Sequence, residues 1–342
     1  MKEVLNNIVI LIPALNPGNN IIEVIKDLKK EGFSNIIVIN DGSDDNNRKY
    51  FNILNDEFNV KVYNHEKNLG KGQALKTGIK KIINEEILGV ITVDADGQHL
   101  AKDVTKIAAQ MNKDKIIFGA RKLVNNKVVP MASKIGNIFS SMYLKLLTGV
   151  YLEDTQTGLR GIPKKYFKVA LEIPGNRYDY EMNFLKNICQ NKIDFDIVPI
   201  ETIYENRIKN FRIIKDSIIV YKEFFKNLIS SLLCSIVDIA IFGILVSSIN
   251  SIFFSNIFAR IFSGGLDFLI NKLWVYRKNN SKNMKEEVRK YLVLFIVQMM
   301  LNTLLVASLS MIFYEFVVII KIIVNVILYL TNFFIKGRYI FK

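Results

Sequence analysis

The chain has 342 residues, a formal net charge of +14, and half of its residues hydrophobic. That length implies two domains, and the basic balance points to an anionic membrane surface, phosphate-rich ligands or nucleic acid. Its two cysteines, Cys189 and Cys234, lie far apart and exclude a disulfide framework and a cysteine metal site, which fits a reducing cytoplasmic face.

The opening residues are polar, and the first apolar run, residues 8–15, is short and meets Pro13 and Pro17, so no signal peptide is expected. Residues 8–12 read as a strand. Residues 20–30 carry Ile21, Val24, Ile25 and Leu28 at helical spacing. Further strands are expected at 36–39, 60–63, 89–93 and 115–118, with a helix over 72–84. Strands alternating with helices imply a parallel sheet covered on both faces, with ligands bound beyond the carboxyl ends of the strands.

After about residue 210 the composition changes. Residues 211–227 place Ile213, Ile214, Ile218, Tyr221, Phe224 and Phe225 at helical spacing among Arg212, Lys215, Lys222 and Lys226, the pattern of a helix lying on a membrane surface. Four apolar stretches follow, at 228–249, 252–273, 291–313 and 317–335, each near the 20 or so residues that cross a bilayer. The loop between the second and third carries Arg277, Lys278, Lys282, Lys285, Arg289 and Lys290, whereas the connections near Asn250 and Glu315 carry no basic residue. The positive-inside rule therefore puts that loop, the N-terminal domain and Lys342 on the cytoplasmic side. Residues 267–277 echo residues 332–342, which suggests two repeated hairpins. Asp238, Arg260, Asp267, Gln298, Asn302, Lys321 and Asn325 stand inside the apolar stretches, where polar groups pair or line a path.

Three turns at strand ends carry the chemistry. Asp94, Asp96, Gln98 and His99 follow the strand at 89–93; two carboxylates two residues apart on extended backbone point the same way, and hard oxygens on one side suit a divalent cation that also binds phosphate. Asp94 is equally suited to a ribose. Asp41, before Gly42, Ser43 and Asp44, suits a nucleoside base or ribose, with Gly42 permitting close backbone approach. Gly70, Lys71 and Gly72 open a helix in a way that suits phosphate, without Walker spacing. Each turn taken alone also reads as an ordinary loop with a helix cap.

Together with Pro13, Ala14, Leu15 and Asn16 after the first strand, these turns resemble the glycosyltransferase family 2 pattern. The stretch from Asp154 through Gln156 and Arg160 to Pro163, and the one from Arg177 through Glu181 to Asn183, resemble its polyprenyl-phosphate branch, which includes the dolichol-phosphate mannose synthases. The resemblance covers about residues 8–221. Residues 228–342, with Arg260, the 267–277 stretch and a basic, aromatic terminus, resemble the GtrA-like membrane family.

The resemblance implies an α/β GT-A (Rossmann-like) domain over residues 1–210, an interfacial helix over 211–227 and an all-α four-span transmembrane domain over 228–342. It implies inverting transfer of a hexose from a nucleotide-diphosphate sugar, UDP-hexose favoured over GDP-mannose, to undecaprenyl or dolichyl phosphate. Pro13, Ala14, Asn16 and Asp41 would bind the nucleoside, with Lys71 beside the phosphates. Asp94, Asp96 and Gln98 would hold ribose, Mg2+ or Mn2+ and diphosphate. Arg121 and Lys134 would contact the acceptor phosphate, and Asp154, Gln156 and Arg160 would shape the acceptor loop. An arginine is usual where Lys134 stands, and a glutamate usually follows where Pro17 and Gly18 stand here. The membrane half would anchor the enzyme, and its polar groups would either form a seam that hands the sugar-bearing headgroup across the bilayer or act as static salt bridges that fix helix packing. Partners expected are the bilayer and another copy of the chain, not nucleic acid.

The residue inventory agrees with that chemistry. A lipid phosphate is anionic at neutral pH and requires positioning and leaving-group stabilisation more than a strong base. No cysteine nucleophile or Ser-His-Asp set is apparent, and His65 and His99 are the only histidines. A processive polysaccharide synthase would show a Gln-x-x-Arg-Trp motif, but Gln156 and Arg160 have the wrong spacing and the only tryptophan is Trp274. A non-catalytic nucleotide-sugar-binding transport or scaffold protein would have no use for the paired carboxylates. A dinucleotide oxidoreductase lacks its glycine turn after the first strand.

Overall fold

The structure, a computed structural model, describes residues 2–123, 129–201, 222–249, 251–270, 274 and 284–335. The chain divides into two compact units, Met1–Val220 and Tyr221–Lys342.

The first unit runs α1 (Lys2–Asn6), β1 (Ile8–Ala14), α2 (Asn20–Lys30), β2 (Ile36–Asn40), α3 (Asp45–Asp56), β3 (Lys61–Asn64), α4 (Lys71–Ile82) and β4 (Gly89–Thr92). It continues through α5 (Ala101–Gln110), β5 (Ile116–Arg121), α6 (Met131–Thr148), β6 (Arg160–Pro163), α7 (Phe167–Glu172), α8 (Asp179–Gln190) and β7 (Phe195–Ile200). One seven-stranded sheet has the order β3-β2-β1-β4-β6-β5-β7. Strands β1, β2 and β4 are near-continuous apolar runs because both sheet faces are covered. Ile8, Ile10 and Ile12 join a core with Ile21, Val24, Ile25 and Leu28 of α2 and Val104 and Ile107 of α5. On β1 between them, Leu11 packs against α4 so closely that a Cβ on Gly78 would stand 2.2 Å from its Cδ1.

The expected strands and the helices at 20–30 and 72–84 all form, within a few residues of their expected ends. The all-parallel sheet does not. Strand β6 lies antiparallel between β4 and β5. The chain leaves β5 at the carboxyl edge, and α6 and the loop after it keep it there, so the next strand starts at that edge and runs back. Two further elements, α6 and β7, have no clear sequence signature. Helix α6 buries Asn137, Ser140 and Ser141 and exposes Met131, Ile135, Ile138 and Met142, an arrangement that hides its core-facing stripe, and the inward residues of β7 are only Val198 and Ile200.

The second unit contains α9 (Lys222–Ile249), α10 (Ile252–Ile270), α11 (Met284–Ile312) and α12 (Val317–Ile335). Two segments, Leu228–Ile249 and Arg289–Ile312, are long and apolar enough to cross a membrane; at 22 and 24 residues they exceed the roughly 30 Å of a hydrocarbon core. The other two helices are 19 residues each and carry Arg260, Asp267 and Lys321. Residues 211–221 of the expected interfacial helix and most of both echoing stretches lie outside the described residues, and residues 222–227 open α9.

The helices meet at a small apolar core of Phe242, Ala259, Val306, Ile320, Val324 and Leu328. Beside it runs a polar network. Lys321 and Asp238, both fully buried, form an ion pair at 3.1 Å, and Lys321 donates to Asn256 Oδ1 at 2.8 Å under the Phe242 ring. Ser263 and Asn325 also donate to Asp238. The ion-pair partner of Asp238 is Lys321 of α12, and Arg260 donates to Asn325 Oδ1 at 2.7 Å. A lysine with three donors fits between Asp238 and Asn256, whose carboxylate and amide oxygens both take its ammonium. Arg260 and Asp267 line one cavity with Ser263, Tyr291, Gln298 and Asn325.

Candidate active site

The site is built at the carboxyl edge of the sheet, where β1, β2, β4 and β5 end and β6 begins. The turn after β1 and the turn after β2 brace each other. Asp41 N–H donates to Ala14 O, Asn16 N–H to Ser43 Oγ, and Asp44 N–H to Asn16 Oδ1, each within 2.9 Å. Asn16 sits at φ +48°, a conformation asparagine tolerates better than most residues. Pro13 is half-buried, Ala14 is buried and Asn16 is exposed.

Asp41 faces inward. Its carboxylate accepts from the amides of Leu69 and Gly70 at 2.9 and 2.8 Å and lies 2.8 Å from His65 Nδ1. The other ring nitrogen of His65 meets Thr77 Oγ1 at 3.0 Å. Asp41 therefore holds the glycine turn that opens α4. That turn requires its glycines: a Cβ on Gly70 would stand 2.4 Å from Asn176 O, and one on Gly72 would stand 2.4 Å from Tyr180 Cβ.

Lys71, at the start of α4, bridges two carboxylates, Asp94 Oδ1 at 2.6 Å and Glu181 Oε1 at 3.0 Å. Burial works against its charge, but the two carboxylates outweigh it and hold the ammonium well above the usual lysine range. The same pairing overcomes the burial of Asp94 and holds it far below the usual carboxylate range, with His99 Nε2 at 3.3 Å assisting. Asp96 behaves oppositely. Burial and the neighbouring Asp94 charge raise it, while the Gln98 amide, 3.0 Å from Oδ1, partly offsets them.

The loop over residues 153–159 reaches the same place. Gly158 presses on Asp94 so closely that a Cβ there would stand 2.3 Å from Oδ2. Thr92, at the end of β4, donates to Gly158 O at 2.6 Å. The loop is tied down by Asp154, whose carboxylate takes Arg121 Nε at 2.7 Å and Nη2 at 3.1 Å, the Arg121 amide, and the Gln156 amide. This is a buried fork-to-carboxylate pair. Asn137 of α6 accepts from the Thr155 amide and donates to Glu153 O, and Gln156 Nε2 donates to Ser140 Oγ at 3.3 Å. Arg160 is buried between the rings of Phe118 and Phe184, 5.7 and 5.6 Å from their centroids, and donates to Thr157 O and Glu181 O. Lys134, half-buried on α6, has no polar side-chain partner among the described residues.

Lys71, Asp94, Asp96 and Gln98 are thus gathered in one cluster, and Arg121, Asp154, Gln156 and Arg160 in an adjoining loop that touches it. Sequence reading left Glu181, Thr92, Gly158 and His65 without a site role. Glu181 stood in a recognised motif, but nothing local ties it to Lys71. Only the packing of α8 beside α4 makes that pair.

Comparison with known proteins agrees with this architecture. Residues 9–169 match the model for Glycosyl transferase family 2, and residues 226–341 match that for the GtrA/DPMS transmembrane domain. An uncharacterized protein of Methanocaldococcus jannaschii is 34% identical over 204 residues, which cover 58% of this chain and 82% of that one. The UDP-N-acetylglucosamine–dolichyl-phosphate N-acetylglucosaminyltransferase of Methanococcus voltae is 34% identical over 215 residues, covering 58% and 86%. A crystal structure of glucosyl-3-phosphoglycerate synthase from Mycobacterium tuberculosis aligns with a TM-score of 0.47 at 15% identity, over 67% of this chain and 81% of that one. The chain belongs to glycosyltransferase family 2, a glycosyltransferase with a GT-A domain ahead of a GtrA/DPMS transmembrane domain.

Proposed function

We propose that this glycosyltransferase moves a sugar from a nucleotide diphosphate, UDP-hexose before GDP-mannose, to a polyprenyl phosphate at the cytoplasmic membrane face. The relative from Methanococcus voltae, whose name specifies a UDP sugar and dolichyl phosphate, supports both substrates. The observation that carries the reading is the contact of Gly158 with Asp94, which sets the acceptor loop against the donor-side carboxylates.

The donor set fits a divalent cation, Mg2+ or Mn2+. Asp94, Asp96 and Glu181 put three carboxylates around the single ammonium of Lys71. A diphosphate enters so acidic a cleft with a counter-cation, and such a cation takes one or two carboxylates and completes its shell with phosphate oxygens and water. Asp94, Asp96 and Gln98 would hold it, and its chemistry is stabilisation of the leaving diphosphate. Pro13, Ala14 and Asn16 line the nucleoside end, with Asp41 holding the turn beneath it.

In the transfer itself an oxygen of the lipid phosphate attacks the anomeric carbon opposite the leaving group. The bond from that carbon to the diphosphate breaks, and the nucleoside diphosphate departs with the electron pair. No proton transfer is required of the chain. Lys134 supplies positive charge to the incoming phosphate as a point charge, without the bidentate fork of an arginine. Arg121 acts through Asp154 to fix the acceptor loop. The membrane unit anchors the catalytic unit by four spans arranged as two hairpins, and its polar network handles the headgroup.

The test is transfer of radiolabel from a panel of nucleotide sugars to polyprenyl phosphate, with and without divalent metal. The expected outcome is a metal-dependent lipid product with the wild type and none with Asp96→Ala. Absence of lipid product from every donor, with folded protein, overturns the lipid-phosphate assignment.

A further inference from the structure

Arg260 of α10 is a cation that the membrane unit leaves without a close counter-charge. Lys321, buried in the same unit, is paired with Asp238, but no ion pair among the described residues includes Arg260. A guanidinium offers a fork of N–H donors. Here Nη2 reaches Asn325 Oδ1 at 2.7 Å, and Nε is buried with no hydrogen-bond partner. Asn325 is itself held, accepting from Asn302 Nδ2 at 2.9 Å and donating to Asp238 Oδ2 at 3.0 Å. The network therefore fixes the guanidinium in place while leaving most of its donors unused.

The guanidinium borders a partly open cavity of about 70 Å³. Ser231 and Ser235 of α9, Tyr291 and Gln298 of α11 and Asp267 of α10 contribute to its polar wall. A single water requires on the order of 10–15 Å³. The cavity thus has room for a few water-sized groups, the bulk of one phosphate and less than a sugar or a nucleotide. An uncompensated cation inside a bilayer is costly, and an arginine fork matches phosphate oxygens. The serine and tyrosine hydroxyls and the glutamine amide add donors for the remaining oxygens. Asp267 limits the charge such a phosphate carries. It stands about two turns, roughly 10 Å, along the same face of α10 from Arg260, and its carboxylate accepts from the Tyr291 hydroxyl. With a cation at one end and a carboxylate at the other, the cavity accommodates one negative charge beside Arg260 and repels a second. A phosphodiester carries one charge, whereas a phosphomonoester carries about −1.5 to −2 near neutral pH.

We propose that Arg260 and this cavity bind the phosphate of a singly charged phosphodiester lipid headgroup in preference to a phosphomonoester. A bilayer phospholipid has that chemistry, and so does a glycosylated polyprenyl phosphate; the unglycosylated acceptor does not. Transfer of the sugar turns a monoester into a diester, and only the diester matches the charge of the cavity. The site therefore separates product from acceptor. It recognises the linkage and not the sugar, for which the cavity has no room. The assignment to product rests on the lipid-phosphate reading above; the phosphodiester site itself does not.

The test measures binding without turnover, by calorimetry, to the full-length protein in maltoside micelles, which carry no phosphate. EDTA keeps divalent metal from the acidic cleft of the catalytic unit. The probes share one short prenyl tail and are a glucosyl phosphodiester, the phosphomonoester and a neutral glucoside. The diester is expected to bind about tenfold more tightly than the monoester, and the neutral glucoside not at all. Arg260→Gln is expected to weaken the diester by about tenfold or more, and Arg260→Lys, which keeps the charge without the fork, to fall between. Asp267→Asn leaves Arg260 in place and is expected to raise affinity for the monoester toward that for the diester. Where the glutamine variant does not fold, the lysine variant and Asp267→Asn carry the test. Equal affinity of wild type and the Arg260 variants for the diester, a wild-type preference for the monoester, or no binding of the diester by folded wild type overturns the proposal. Competition names the source. Displacement of the glucosyl diester by short-chain phosphatidylglycerol assigns the cavity to phosphodiester lipids in general, and failure to displace it assigns the cavity to the glycosylated product. Phosphatidylglycerol that binds through Arg260 in a protein that makes no lipid product refutes the enzymatic reading and leaves this site standing.

Discussion

Asp154 shows how much of the site depends on one buried carboxylate. Its side chain is fully buried and answers both the fork of Arg121 and the amides of Arg121 and Gln156. Asp154→Ala leaves the Arg121 guanidinium buried without its counter-charge, a change that costs about 3–5 kcal/mol. A clear fall in the thermal midpoint of the purified full-length protein is expected, together with loss of transfer. At Cys189 the effect is one of pH. Burial pushes its thiol up to about 11, offset only in part by the Thr148 hydroxyl. An unfolded cysteine ionises near pH 8.5, so the folded chain keeps a proton that the unfolded chain releases. The stability this group contributes is therefore complete below about pH 8.5 and is lost as pH rises toward about 11. The thermal midpoint of the wild type should fall more steeply over that window than that of Cys189→Ser, and equal slopes would contradict the assignment.

At the scale of elements, the active site is a set of strand-end turns locked edge to edge. The glycine turn before α4 is held from one side by Asp41 and from the other by the residues that open α8, with Gln73 N–H donating to Asn176 O at 2.9 Å. The return strand β6 carries the loop over residues 153–159 to β4, and Gly158 is where loop and carboxylate touch. Gly158→Ala tests that junction. The backbone there has no positive φ, so the added methyl is tolerated locally and acts by displacing Asp94. A displacement of about 1 Å at a reacting centre costs on the order of a hundredfold in rate. The expected result is a fall in kcat of that order with the thermal midpoint little changed; wild-type kcat would show that Asp94 relaxes without consequence.

At the scale of the whole molecule, a catalytic unit and a membrane unit share one chain, and the membrane unit has more polar chemistry than an anchor requires. Lys321, Asp238, Asn256, Asn302 and Asn325 form one connected network, and Arg260 reaches it through Asn325 beside a cavity shared with Asp267. Arg260→Ala is expected to slow translocation of the glycosylated lipid headgroup in reconstituted vesicles while leaving its synthesis intact. An unchanged rate leaves anchoring as the role of that residue.

How far the sequence reached follows a physical pattern. Signals that depend on neighbours along the chain were legible: the apolar runs of β1, β2 and β4, the periodic face of α2, the carboxylate pair at Asp94 and Asp96, and the composition of residues 228–342. Each follows from a period or a local turn that short-range sterics and burial impose. Partnerships between distant segments were not legible. Sequence did not show that Lys71 bridges Asp94 and Glu181, that β6 runs antiparallel, that Asp238 pairs with Lys321, or that one face of α6 remains open. By itself the sequence determined the elements of the catalytic domain's first half, the polar motifs at their ends and the membrane character of the second half. Only the tertiary structure decided which charges meet, because an ion pair or an exposed stripe is set by packing across the fold, and no local period encodes it.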